Sequence, residues 1–290
     1  VRDEVAAELG LGSSATGSPV RVITGLPDLH NAVVASGAAG LYEPHVALGT
    51  TAWVSCPLPG KKTDILHQQA AVPGLDADHY LLANNQDSAG RALEWLRERA
   101  LAGLGTSEVP TAEEIVALAG TAPPGAGGVM FTPWLTGERS PIDDRYARAG
   151  FHNLGVTAGS AELARAVLEG VAFNLRWLLE AADSYTKRRL DPIRLLGGCA
   201  RSDLWCQIVA DVCDRSFERV ADPVVAGLRG AGLTWALATG DVQRADLRAL
   251  VPVDRVFAPN AAHRAAYDRM YAEFPRLHSR NKRFFAALNR

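Results

Sequence analysis

The stretch "PIRLLGGCARSDLWCQIVADVC", Pro192 to Cys213, decides the fold. Ile193 to Leu196 reads as a buried strand that runs onto the paired glycines Gly197-Gly198. Leu204, Ile208 and Val212 then recur at the spacing of one helix face, so the order is strand, glycine turn, helix. The same order recurs upstream, where "PVRVITGLPDLHNAVVASG" predicts a strand at Val20 to Thr24 and a helix from Asp28 to Ser36. Strands alternating with helices along a chain indicate an α/β fold.

Other segments extend the alternation. "HVALGTTAWVSC", His45 to Cys56, reads as a β-branched strand interrupted at Gly49, where a glycine marks a bulge or a close backbone approach. "HYLLANN" predicts another strand, and "DSAGRALEWLRERAL" a helix with Leu93, Leu96 and Leu101 among its apolar positions. Thr111 and Glu114 have capping-box spacing, with Gly120 closing that helix. "GVMFTPWL" resumes as strand. "TGERSPIDDRYARAG" is too polar and turn-rich for a core, and its charges, Glu138 and Asp144 among them, suit a solvated surface and a working loop equally. From Ser160, an N-cap, Leu163, Val167, Val171, Leu175 and Leu178 predict one long core helix. The tracts from Gly227 and from Ala261 are helical by pattern.

The chain has 290 residues, 48% of them apolar, which allows one large domain or two modest ones. With 30 basic and 32 acidic residues the net charge is −2, so no global field draws nucleic acid or an anionic membrane. Cys56, Cys199, Cys206 and Cys213 are too few for a disulfide framework, which fits a reducing cytoplasm, and no histidine stands near enough to complete a metal set. No apolar run approaches the roughly 20 residues of a membrane span, and no signal-peptide layout appears at the start. The chain therefore reads as soluble and not exported. Val1, opening a helical segment without methionine, suggests a piece of something longer.

Two glycine turns carry the most readable chemistry, Gly49-Thr50-Thr51 and Gly197-Gly198. Glycine lets the backbone approach a ligand, exposed N–H groups attract anions, and threonine hydroxyls add donors to phosphate oxygens. Both suit a nucleotide, although plain connection is the commoner use of such turns. There is no Walker sequence and no GxGxxG, and Gly227, Gly230 and Gly232 read as close helix packing. Asp28 at a helix start is either an N-cap or a carboxylate held ionised to accept a proton from a hydroxyl, as phosphoryl transfer to an alcohol requires.

Taken together, these motifs resemble the C-terminal half of the FGGY family of carbohydrate kinases, closest to its xylulokinase-like members. "VITGLPDLHNAVVASGA" resembles the family's Gly-x-x-Asp segment, "ALGTTAWVS" its second phosphate motif and "SAGRALEWLRE" its nucleotide-side helix. "LTGERSPIDDRYARAGF" resembles its Gly-Glu-Arg-Ser/Thr-Pro loop, and "LLGGCARSDLWCQIVADV" its adenosine motif. The family's second signature is matched from Ala149, Phe151 and Leu154 to Glu162, Leu163, Ala166, Val167, Leu168 and Glu169. Three positions depart from the family: Asn153 and Cys199 stand where glycines are usual, and Leu29 where a polar residue often touches substrate.

The resemblance implies a ribonuclease H-like, actin-type ATPase fold, with residues 1–290 forming the C-terminal lobe of a two-lobe sugar kinase. It places Asp28 as the catalytic base, Thr50, within Gly49-Thr50-Thr51, at the terminal phosphates, and Gly90, Gly198 and Ser202 along the nucleotide, with Gly197 in the same turn. It implies ATP and Mg2+, a sugar or polyol substrate, and an N-terminal kinase lobe as partner that this sequence lacks, without which turnover is not expected. A homodimer is left open. Two alternatives also stay open: a nucleotide-binding or regulatory module without catalysis, and an actin-fold ATPase whose nucleophile is water.

Overall fold

The computed structural model describes residues 2–11, 21–100 and 109–290. After a short helix α1 (Asp3–Glu8), residues 21–27 are irregular and mostly exposed, so the strand expected at Val20 to Thr24 does not form there, and Val20 lies outside the described residues. Branched residues alone do not make a strand without a neighbouring strand to bond. Helix α2 (Asp28–Ser36) has the expected bounds and ends on Gly37 at φ 69°.

β1 (His45–Leu48) and β2 (Ala52–Ser55) are antiparallel, with Leu48 opposite Ala52. Gly49 is therefore no bulge within one strand: it opens a hairpin turn, in which its N–H donates to the Thr51 carbonyl at 2.9 Å. Then β3 (Pro57–Leu58), β4 (Thr63–Asp64), β5 (Gln69–Pro73) and β6 (Tyr80–Ala83) form an antiparallel sheet in the order β3-β6-β5-β4. Helix α3 (Gly90–Trp95) passes into a π-helical turn at Leu96–Ala100; Leu93 and Leu96 are buried, and Leu101 is outside the described residues. Helix α4 (Ala112–Thr121) carries the predicted capping box, Thr111 Oγ1 accepting the Glu114 N–H at 3.2 Å and Glu114 Oε2 the Thr111 N–H at 2.7 Å, and continues one residue past Gly120.

β7 (Met130–Thr132) and β8 (Gly150–His152) make a two-stranded ribbon. Helix α5 (Ser160–Thr186) is the long core helix; its N-cap is Gly159, whose N–H donates to Glu162 Oε2 at 2.9 Å, so Ser160 is the first helical residue and not the cap. β9 (Ile193–Leu196), α6 (Asp203–Cys213), β10 (Phe217–Val220), α7 (Ala226–Thr239), α8 (Leu247–Leu250), β11 (Val253–Phe257) and α9 (Arg264–Asn289) complete the chain.

The main sheet runs β11-β10-β9-β1-β2, with β10, β9 and β1 parallel and both outer strands antiparallel to their neighbours. Side chains alternate faces along a strand. Val46 and Leu48 of β1 enter the main core with Ile193, Leu195 and residues of α5 and α6, while Ala47 joins Ala32, Ala35 and Ala226 of α2 and α7 on the other face. Both faces are covered, which is why β1 and β9 are buried throughout and read as continuous apolar runs. Close helix packing holds at Gly230, where a β-carbon would meet the Asn31 carbonyl oxygen of α2 at 2.8 Å; nothing lies within 4 Å of that position at Gly232. All four cysteines are free thiols, Cys199 half-buried and the others buried.

Candidate nucleotide cleft

β1 and β9 are neighbouring parallel strands, so the turns that follow them, at Gly49 and at Gly197, emerge side by side at the carboxyl ends of the sheet. That edge is where open α/β sheets bind ligands. Gly49 and Thr50 from the hairpin, Gly90 from the start of α3, and Gly198 and Ser202 from the turn before α6 line one cleft of about 590 Å³.

The floor is built from backbone. The Gly49 carbonyl accepts the Gly90 N–H at 2.8 Å, and the Thr50 carbonyl accepts Ala89 N–H at 3.0 Å and Arg91 N–H at 3.2 Å. Cys199 Sγ donates to the Gly49 carbonyl at 3.4 Å, so three elements meet at one oxygen. Burial pushes the Cys199 thiol up to about 12, and it acts there as a small neutral filler. Ser202 Oγ caps α6 by accepting the Trp205 N–H at 3.1 Å.

One wall is apolar: Leu93 from α3, Val116 and Ala117 from α4, and Trp205, which is buried and donates from Nε1 to the Leu168 carbonyl at 3.2 Å. Such a wall suits a flat heterocycle, opposite glycine turns that suit phosphates. The cleft's carboxylates are engaged, Glu94 with Arg97 at 2.6 Å and Glu113 with Arg201 at 3.6 Å. Both carboxylates are exposed, and pairs of this kind are weak. Among the described residues the clustered metal-ligating side chains are Asp76, Asp78 and His79, outside the cleft, with Asp76 ion-paired to Arg244.

Three residues expected at the site are not in the cleft lining. Thr51 sits behind the hairpin turn, bonded through its carbonyl to Gly49. Gly197 packs against β1; its φ is 106°, and a β-carbon would meet the Leu48 carbonyl oxygen at 2.5 Å. Asp28 lies exposed in the first turn of α2, with Pro27 in the cap position, and its Oδ1 accepts the Leu29 N–H at 2.7 Å. The α4 wall and Trp205 were not legible as site residues, because their only sequence signal is an ordinary amphipathic helix.

The Thr136 to Gly150 loop is no solvated surface: Glu138, Ser140 and Asp144 are buried, and the exposed charges are Arg139, Asp143 and Arg145. Glu138 Oε1 accepts the N–H groups of Asp87 at 2.7 Å and Arg139 at 2.9 Å, and Oε2 accepts Asn174 Nδ2 at 2.9 Å. Burial pushes its carboxyl up to about 8 against these donors. Glu138 thereby ties the segment leading into Gly90 to α5.

Residues 45–239 match the family model described as "FGGY family of carbohydrate kinases, C-terminal domain". The xylulose kinase of Escherichia coli K12 is 30% identical over 273 residues, covering 93% of this chain and 51% of that protein. The glycerol kinase of Gloeobacter violaceus is 36% identical over 179 residues, 61% of this chain and 34% of that protein. A solved xylulose kinase from Lactobacillus acidophilus superposes with a TM-score of 0.86 at 25% identity, covering 99% of this chain and 56% of its own. The chain thus spans about half, or less, of the length of these relatives, and its mixed α/β architecture is the actin-type ATPase fold of their C-terminal domains.

Proposed function

Because the chain belongs to the FGGY family of carbohydrate kinases, we propose that it supplies the nucleotide-side lobe and the catalytic carboxylate for ATP-dependent phosphorylation of a sugar or polyol hydroxyl, in a xylulokinase-like enzyme of the cytoplasm. The observation that carries this reading is the convergence of Gly49, Thr50, Gly90, Gly198 and Ser202 on one cleft with an apolar wall. In this reading the base lies against Val116, Ala117 and Trp205. The phosphates extend toward Thr50, whose hydroxyl donates to the terminal group.

Asp28 accepts the proton of the substrate hydroxyl as its oxygen attacks the γ-phosphorus, and the bond to the bridging oxygen of ADP breaks. Asp28 stands exposed in the first turn of α2, where a substrate hydroxyl can reach its carboxylate. Leu29 cannot hydrogen-bond a sugar, so polar selection of substrate falls to the N-terminal lobe, which is the proposed partner. Mg2+, when bound, would neutralise charge on the phosphates; the family resemblance assigns its ligands to that lobe.

The test is an ADP-release assay over ketoses, pentitols and glycerol, with and without a full N-terminal lobe. Turnover only with the lobe, lost in Asp28→Asn, is the expected result. Nucleotide binding without turnover in every combination would leave a non-catalytic module, and free phosphate without a phosphorylated sugar would make the protein an ATPase.

A further inference from the structure

A second groove, of about 670 Å³, lies between the turn at Asp143 to Tyr146 and the C-terminal part of α9. It shares no lining residue with the nucleotide cleft. Its cations are Arg145, Lys282, Arg283 and Arg290, none of them ion-paired with a carboxylate among the described residues. Its two carboxylates are already engaged within the protein. Asp143 Oδ2 accepts Gln68 Nε2 at 3.0 Å; Asp144 accepts the Tyr146 N–H at 2.9 Å and the Ala147 N–H at 3.2 Å, and bonds His278 Nε2 at 2.9 Å.

The four cations are exposed, and two bonds tie the turn that carries Arg145 to the helix that carries Lys282 and Arg283. His278 of α9 is tied to Asp144, and Asn289 Nδ2 donates to the Tyr146 carbonyl at 3.1 Å. The Arg145 and Arg290 guanidinium groups lie 4.8 Å and 5.9 Å from the centre of the Tyr146 ring, and Arg145 donates to the Tyr146 hydroxyl at 2.6 Å. Counting side chains alone, four cations face two carboxylates, a surplus of two positive charges, in a chain whose net charge is −2.

We infer that this groove binds a small phosphate-bearing anion, a phosphate monoester or a diphosphate. A monoester carries about −1.5 to −2 at neutral pH, which matches the surplus. Guanidinium forks suit phosphate oxygens, and the volume is that of a metabolite site. A long polyanion is disfavoured, because a chain of net charge −2 supplies no global field to attract one. The inference does not depend on the kinase reading.

Equilibrium dialysis of the whole chain with radiolabelled pyrophosphate tests it, using Ala117→Trp to fill the nucleotide cleft. One site should persist in Ala117→Trp. It should weaken roughly tenfold or more in Lys282→Glu/Arg283→Glu and less in Lys282→Gln/Arg283→Gln, since each charge-assisted hydrogen bond is worth about a factor of ten. Absence of binding in the folded Ala117→Trp chain, or binding unchanged in the folded charge-reversed variants, would overturn the inference. A parallel arm with vesicles of an anionic phospholipid separates the sources of the phosphate: capture that pyrophosphate does not displace would overturn a free ligand in favour of a lipid headgroup.

Discussion

The Gly90 N–H donates to the Gly49 carbonyl oxygen at 2.8 Å, and a β-carbon on Gly90 would lie 2.8 Å from that same oxygen and from Cys199 Sγ. There is no room for a side chain where the hairpin, α3 and the Gly198 turn meet. Gly90→Ala should therefore push the three apart, costing about 1–3 kcal/mol of stability as overpacking does and weakening nucleotide binding. Calorimetric titration with ATP and urea melts read both, with Gly60→Ala, which has nothing within 4 Å, as control. Wild-type affinity in Gly90→Ala would show that this junction does not set the cleft.

His45 in β1 is fully buried, and neither ring nitrogen has a hydrogen-bond partner among the described residues. Burial lowers its pKa to about 3 from an ordinary 6.5. Below pH 6.5 the unfolded chain takes up a proton that the folded chain refuses, so stability falls as pH drops from 6.5 toward 3. At pH 5 this loss is about 2 kcal/mol, at 1.36 kcal/mol per unit. In His45→Leu that part of the slope should vanish, making the variant gain on wild type between pH 7 and pH 5 in denaturant titrations. Parallel pH profiles would refute the assignment.

Arg165 and Glu169 form a buried pair on α5, Nε to Oε1 at 2.7 Å, with Tyr267 Oη and the Gly125 N–H donating to the same oxygen at 2.8 Å and 3.0 Å. Burial raises the Glu169 carboxyl, and Arg165 opposes that rise. Arg165→Met should cost roughly 3–5 kcal/mol, because an unpaired buried carboxylate remains. Arg165→Met/Glu169→Gln, which keeps an acceptor for Tyr267 and Gly125 while removing the charge, should recover part of the loss. A double variant as unstable as the sum of its singles would rule out coupling.

Much of this architecture is legible in residue patterns, and the failures have local causes. Asp28 to Ser36, Asp203 to Cys213 and the long helix from Ser160 are readable because their apolar periodicity is that of one helix face packed on a sheet. The hairpin at Gly49 is misread as a single strand because β-branched Thr50 and Thr51 occupy the turn itself, which lacks an Asn-Gly or Asp-Gly pair. Phe217 to Val220 and Val253 to Phe257 carry charges at Glu218, Arg219, Asp254 and Arg255, which hide two strands that pair at the edge of the main sheet. The loop around Glu138 looks solvated because composition counts charges and cannot count the backbone donors that bury one. The glycine turns announced the cleft, but nothing in a linear pattern places Val116 and Ala117 of α4 beside Gly49 and Gly198, which are far away in the chain.

That distance has a consequence for how the protein acquires its ligand site. The contact of Cys199 with Gly49 closes a separation of 150 residues, and contacts of that range form only after the loop-closure entropy between them has been met. A chain emerging from the ribosome would have its Gly49 turn in place well before Cys199 arrives to complete the floor. Nucleotide affinity should therefore appear in one late step of synthesis, so that its onset along a ribosome-stalled series would report the moment at which the cleft becomes native.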